Sequence, residues 1–333
     1  MQVMSKNMVS KLVVLGTGGT IAGTSVLPGD NIGYTAAQLG VAQLVQTIPS
    51  LAELPCTLTC EQVAQIDSKD MTLDVWQQLL LRTTFWLADP QVQGVVITHG
   101  TDTLEETAFF LHCALPSQLV AAKAVVLTCA MRPATALNAD GPQNLLDAIA
   151  VALTPGASGV VAVCAGVLHT AADVQKVHTY RLNAFGSGDT GPLGYVEERV
   201  LRLVRNWPLA PTNIAYEAIK NTSAGNHWPR VEIVMNHAAA GALIVDALLA
   251  QSDSGQVEPL RGIVVAGTGN GSMHHDLEAA LVRAQASGVA VRRSTRCAMG
   301  RVIPAPGAAI AHSKGLSPVK ARIALMLELM VAH

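Results

Sequence analysis

Charge is scarce in this chain. Only 14% of its 333 residues are Asp, Glu, Lys or Arg, and the formal net charge is −2 with acids and bases interspersed. A chain read as having no basic stripe and no acidic tail lacks the electrostatic footprint that nucleic acid or an anionic membrane requires. Aromatic residues are equally few, at 4%, which removes the stacking platforms of single-strand binders. No run of 18 apolar residues occurs, so no segment reads as a membrane-spanning helix. The opening Met1-Gln2-Val3-Met4-Ser5-Lys6 has no apolar stretch of secretory-signal length, and a cytoplasmic location is expected. The six cysteines form no redox or zinc motif, and only Cys56 and Cys60 are neighbours in sequence. They are expected to be reduced thiols, mostly buried.

What the chain has instead is apolar bulk. Half of it is hydrophobic, which fits a folded protein and excludes a disordered one. Its length suits two domains. A surface this poor in charge also predicts cover by partner subunits.

Short apolar runs alternate with helical stretches. Strands are expected at 12–15, 94–98, 124–128 and 160–164; their unbroken apolar character marks burial on both faces, as in a parallel sheet. Helices are expected at about 36–47, 72–88, 103–115 and 140–153. Asp102 can cap the third, with Glu105 at the reciprocal position of a capping box. A stretch at 206–230, with Pro208, Pro211, Gly225 and Pro229, reads as a linker. Beyond it strands are expected at 231–235, 262–266 and 289–291, and helices near 240–250, 275–287 and 317–331. The fold class is therefore α/β with two α/β domains: a larger doubly wound, mainly parallel N-terminal domain (1–205) and a smaller C-terminal one (231–333).

Two polar loops follow expected strands, where open parallel sheets bind ligands. The first is Gly16-Thr17-Gly18-Gly19-Thr20. It lacks the lysine of a phosphate loop and the third glycine of a dinucleotide loop. A tight turn explains its glycines but not its threonine hydroxyls. The second is Thr98-His99-Gly100-Thr101-Asp102-Thr103, a hydroxyl beside a carboxylate. Alone it reads slightly better as a helix cap than as a site. Gly267-Thr268-Gly269-Asn270-Gly271-Ser272 has the wrong spacing for a phosphate loop, and the adjacent His274 and His275 are expected to diverge, so no metal site is expected.

Together the two loops change that weighing. The stretches Leu15-Gly16-Thr17-Gly18-Gly19-Thr20-Ile21-Ala22-Gly23 and Val96-Ile97-Thr98-His99-Gly100-Thr101-Asp102-Thr103-Leu104-Glu105-Glu106-Thr107 resemble both signatures of the bacterial-type L-asparaginase family. Ala130-Met131-Arg132-Pro133, Asn138-Ala139-Asp140-Gly141-Pro142, Gly191-Pro192-Leu193-Gly194 and Leu316-Ser317-Pro318 continue the likeness in family order over almost the whole chain. The resemblance implies hydrolysis of L-asparagine to aspartate and ammonia, with Thr20 as nucleophile and Tyr34, on a lid at 23–33, taking its proton. It implies that Thr101, Asp102 and Lys176 form a second catalytic group, that Asp102 pairs the substrate ammonium, and that Ser68, flanked by Asp67 and Lys69, meets the carboxylate. It further implies no metal or cofactor, and a homotetramer in which Asn270 completes a neighbour's site.

Two positions depart from the family pattern. Lys69 stands where many members have glutamine or glutamate, and Arg301-Val302-Ile303-Pro304-Ala305-Pro306 is shortened and lacks a glutamate that supports ammonium binding. Glutamine is therefore expected to be the poorer substrate. The alternatives are a broader glutaminase-asparaginase, a tRNA-linked amidotransferase subunit, or a catalytically silent amino-acid-binding homologue.

Overall fold

The computed structural model describes residues 10–27, 29–209, 215–222 and 228–332. Contacts divide the chain into two compact units, Met1–Asn213 and Ile214–His333. Pro211, Gly225 and the N-terminal stretch used to expect a cytoplasmic location fall outside the described residues.

The larger unit is built on strands β1 (Lys11–Gly18), β2 (Thr57–Ile66), β3 (Val92–Thr98), β4 (Ala124–Thr128), β5 (Gly159–Cys164), β6 (Val167–Thr170), β7 (Gln175–Lys176), β8 (Phe185–Gly186), β9 (Gly194–Glu197) and β10 (Val200–Leu203). An eight-stranded sheet runs β10-β9-β6-β5-β4-β3-β1-β2. From β2 to β5 every pairing is parallel; from β5 outward through β6, β9 and β10 it is antiparallel. Helices α1 (Val41–Gln46), α2 (Leu73–Ala88), α3 (Leu104–Ala114), α4 (Ser117–Ala122) and α5 (Gly141–Leu153) accompany the parallel part.

Two-sided burial explains why the parallel strands are apolar throughout. Leu12 and Val14 share one core with Val96, Val126 and Val161 and with Leu145 and Ile149 of α5. The intervening Val13, Leu15, Val95 and Val125 are equally buried. Each such side chain contributes about 1.5–3 kcal/mol of burial.

The smaller unit carries a parallel sheet of β11 (Arg230–Met235), β12 (Leu260–Gly267) and β13 (Ala290–Thr295), in that order. Its helices are α6 (Tyr216–Lys220), α7 (Leu243–Asp253), α8 (His275–Ala286) and α9 (Pro318–Val331). Val234, Val265, Leu277, Leu281 and Val291 form its core. The α/β fold class with a larger, mainly parallel sheet is thus as expected.

Several expectations change. The helix expected at 36–47 begins only at Val41, because Ala37 sits at φ 57°, outside helical space. That irregular stretch is spent on the first loop: the Ala37 amide donates to Gly19 O, and those of Gln38 and Leu39 to Ala22 O. The 206–230 stretch contains the helix α6 and Trp207, which packs on the larger core. The cysteines are less buried than expected, with only Cys129 and Cys164 fully so and Cys297 exposed. Those two end β4 and β5 side by side, and their sulfurs are 3.5 Å apart. His274 and His275 do not diverge; their rings stack at 4.3 Å.

Candidate active site

The strand order β2-β1-β3-β4-β5 reverses direction of progression between β1 and β3. Clefts open at such a switch point, beyond the carboxyl ends of the strands. The loops leaving β1 and β3 are the two that carry Thr20 and Thr101.

These loops are tied together. Thr17 Oγ1 donates to Thr98 O at 3.0 Å. Gly19 lies at φ 80°, and a Cβ there would collide with Cα and N of Gly100. A Cβ at Gly100 would in turn strike Ser68 Oγ. Only glycine permits this approach. Ser68 belongs to a 3-10 turn that follows β2, Ser68–Asp70; its hydroxyl accepts from the Asp102 amide at 3.1 Å, and its carbonyl accepts from Thr103 Oγ1 at 2.8 Å.

Two hydroxyl-centred groups result. In the first, Thr20 Oγ1 and Tyr34 Oη are 2.7 Å apart. A backbone bridge between Thr24 and Thr35 joins the two ends of the stretch expected as a lid, and Ala134 N donates to Gly23 O, fastening those ends to the 130–135 stretch. Between those ends, Val26 and Ile32 are almost wholly exposed. Pro28 lies outside the described residues.

In the second group, Lys176 Nζ donates to Thr101 Oγ1 at 2.8 Å and to Asp102 Oδ1 at 2.6 Å. Lys176 arrives on β7, which pairs with β8. Its own amide donates to Glu105 Oε2 at 2.6 Å. This corrects the capping-box expectation. Helix α3 starts after Thr103 with no side-chain cap, because Asp102 and Glu105 are both turned to Lys176.

Behind the second loop lies a buried polar chain. Trp76 Nε1 donates to Thr107 Oγ1 at 2.9 Å, Thr107 Oγ1 is 2.9 Å from His99 Nε2, and His99 Nδ1 is 2.7 Å from Gly100 O. A carbonyl can only accept, so His99 Nδ1 carries a proton. Complete burial pushes the imidazole down to about 4, leaving it neutral at physiological pH. Its Nε2 must then accept from the Thr107 hydroxyl. No role was expected for His99 or Thr107, and Glu105 was expected only as a cap. The one signal was a histidine set between a buried strand and a helix.

The remaining expected site residues are engaged elsewhere. Lys69 Nζ pairs with Asp67 Oδ2 at 2.8 Å and Asp70 Oδ2 at 3.0 Å, an exposed arrangement within its own turn. Those two carboxylates hold the ammonium well above its ordinary value. Asn270, in the smaller unit, accepts from Ile303 N at 2.7 Å and donates to Ile303 O at 3.1 Å.

The chain is similar to proteins of one family along its length. Residues 11–209 match the family described as "Asparaginase, N-terminal", and residues 230–331 match the "Glutaminase/Asparaginase C-terminal domain". The chain is 36% identical to L-asparaginase 2 of Escherichia coli strain K12, over 96% of this chain and 88% of that one. It is 33% identical to a glutaminase-asparaginase of Pseudomonas fluorescens biotype A, over 98% and 88%. A crystal structure of a probable cytoplasmic L-asparaginase from Campylobacter jejuni superposes with a TM-score of 0.86 at 34% identity, covering 96% of this chain and 95% of that one. With both family domains matched in order across a shared fold, the chain belongs to the bacterial-type asparaginase family.

Proposed function

We propose that the chain is an L-asparaginase, an amidohydrolase that converts L-asparagine to L-aspartate and ammonia through a covalent threonine ester. The observation that carries this reading is the lysine bridge: Lys176 Nζ reaches both Thr101 and Asp102. A binding protein for an amino acid has use for Asp102 but none for a lysine set on a threonine hydroxyl.

An amide is a poor electrophile and needs an activated nucleophile and a proton route. Thr20 Oγ1 attacks the side-chain carbonyl carbon, and Tyr34, at hydrogen-bond distance, takes its proton. The C–N bond breaks as that proton passes on to the departing nitrogen, so ammonia leaves and a β-aspartyl ester remains on Thr20. Water held by Thr101 and Lys176 then cleaves that ester. Asp102 pairs the substrate ammonium. That ammonium competes with Lys176 for the carboxylate and leaves the lysine to Thr101 alone. Ser68 Oγ accepts from the Asp102 amide and keeps its own proton to donate to the substrate carboxylate.

We read Lys69 and Asp67 as a self-neutralised pair at the rim rather than direct ligands, in keeping with their mutual bond. Asn270, held on the Ile303 backbone, completes the site of a neighbouring subunit. The protein works without metal or cofactor, in the cytoplasm, as a homotetramer of paired dimers. Likeness to the probable cytoplasmic L-asparaginase of Campylobacter jejuni supports that location.

Ammonia release with L-asparagine, L-glutamine and D-asparagine tests the proposal. L-asparagine should be turned over with a kcat/KM at least about tenfold above that for glutamine, a difference of about 1.4 kcal/mol in barrier. No ammonia from L-asparagine would remove the reading, and equal constants would favour the broader glutaminase-asparaginase activity.

A further inference from the structure

The two hydroxyl groups of the site stand on different loops, yet one short segment, 131–135, touches the supports of both. At one end, Ala134 N donates to Gly23 O at 2.9 Å, and Thr135 Oγ1 accepts from Ser25 N at 2.9 Å. Gly23 is the seat of Tyr34: a Cβ there would meet Tyr34 Cδ2 at 2.8 Å, so the ring rests directly on this backbone. Holding Gly23 therefore fixes where the phenol meets Thr20.

At the other end is Arg132. Its Nη1 donates to Tyr180 O at 2.9 Å and back to Met131 O at 3.2 Å. Its Cζ stands 4.1 Å from the centre of the Tyr180 ring. One planar cation thus grips a single residue by its carbonyl and by its face. Tyr180 lies in the turn between β7 and β8, the hairpin that delivers Lys176.

That hairpin needs a hold. Each of its strands is two residues long, and Val177, Tyr180 and Leu182 are all about half exposed. Its turn is tied mainly to itself: Val177 N and His178 N donate to Ala184 O, and His178 Nδ1 accepts from the amides of Tyr180 and Arg181 at 3.0 Å each. A hairpin with so little apolar burial is marginal by itself. Glu105 secures it at the Lys176 amide, and Arg132 secures the turn four residues further on.

The segment between the two ends is stiff. The Asp140 carboxylate accepts from Met131 N and Arg132 N at 2.9 Å each, and the Asn144 amide nitrogen donates to both Cys129 O and Asp140 Oδ2. Pro133 adds a locked φ.

We propose that Arg132 is a positioning residue: from the segment that seats Tyr34, it holds the Lys176 hairpin, so that one piece of backbone sets the spacing between the two proton-handling side chains. This role rests on the amidase reading. Arg132 touches no reacting atom and acts through Tyr180 and Lys176.

Amide hydrogen exchange and ammonia release, both on the whole protein, test it. In Arg132→Ala the Val177 amide should exchange at least about tenfold faster, while the Thr24 and Thr35 amides, still held by Ala134 and Thr135, should change by less than about twofold. With L-asparagine, kcat should fall about tenfold or more and KM should stay within about threefold. Placed on Lys176→Met, Arg132→Ala should cost less than about a further threefold, because its route to the chemistry is already gone. A general loss of structure would lower kcat in both backgrounds alike. Unchanged exchange at Val177, a kcat within about twofold of the parent, or losses that multiply in the double variant would each overturn the proposal. Exchange needs no turnover, so the two readings fail separately. A parent protein that releases no ammonia sinks the amidase reading, whereas Val177 still protected in Arg132→Ala sinks the hold of Arg132 on the hairpin.

Discussion

The two hydroxyl groups of the site are held in opposite ways. Thr20 and Tyr34 meet across an exposed lid stem whose outer residues touch little. Thr101 and Asp102 rest on a buried frame of Ser68, His99, Thr107 and Trp76, and receive Lys176 from a distant part of the chain. A side chain on a lid acts by being present at the right moment, whereas one on a packed frame acts by never leaving its place. Damage to the first should register in rate alone, and damage to the second in rate and stability together.

The largest effect should come from Thr20→Ala, which removes the proposed nucleophile. Turnover should fall by about 10³–10⁴ while the thermal midpoint hardly moves. Near-normal ammonia release would exclude Thr20 from the chemistry. Lys176→Met should cost about 10²–10⁴ in kcat and, in contrast, lower the midpoint as well, since Asp102 loses its partner. A variant with full turnover would strip the lysine of its role.

His99 sharpens the comparison through pH. The folded protein keeps this imidazole neutral down to about pH 4, whereas the unfolded chain takes up a proton near 6.5. Its contribution is therefore complete above about pH 6.5 and drains away as pH falls toward 4, by roughly 3 kcal/mol at most. Chemical denaturation across that window should show the loss, and His99→Gln should flatten it. An unchanged acid profile in that variant would show that the frame does not depend on the histidine.

The smallest effect should be at Glu105. Glu105→Ala should lower kcat about tenfold by freeing the Lys176 backbone, and Glu105→Gln, which keeps an acceptor, should restore most of it. Equal losses in both would point to the charge and not the hydrogen bond.

How much of this could be read from sequence depended on how local each signal was. The central strands were legible because two-sided burial writes itself as unbroken apolar runs, as in 124–128. Strand β2 escaped because it lies at the sheet edge and mixes exposed and half-buried positions. The antiparallel strands β6, β9 and β10 escaped because their hairpins turn on Ala165-Gly166 and Glu198-Arg199, with positive φ at both residues of each but no Asn-Gly or Asp-Gly to announce it. The glycine and threonine loops were visible as chemistry, yet their residue roles came through resemblance. Glu105 was misread as a cap because its partner amide is 71 residues away, and nothing local records such a bond.

The contact between Gly19 and Gly100 has a genetic consequence. A methyl group at Gly19 would collide with the Gly100 backbone, and one at Gly100 would strike Ser68 and press on Gly19 Cα. An alanine at Gly19 must force the two turns apart, and a second at Gly100 then enters a packing already loosened. Harm from the pair should therefore fall short of the sum of the single substitutions. A lineage that once tolerated such a change would carry a wider cleft, and with it a different choice of amide.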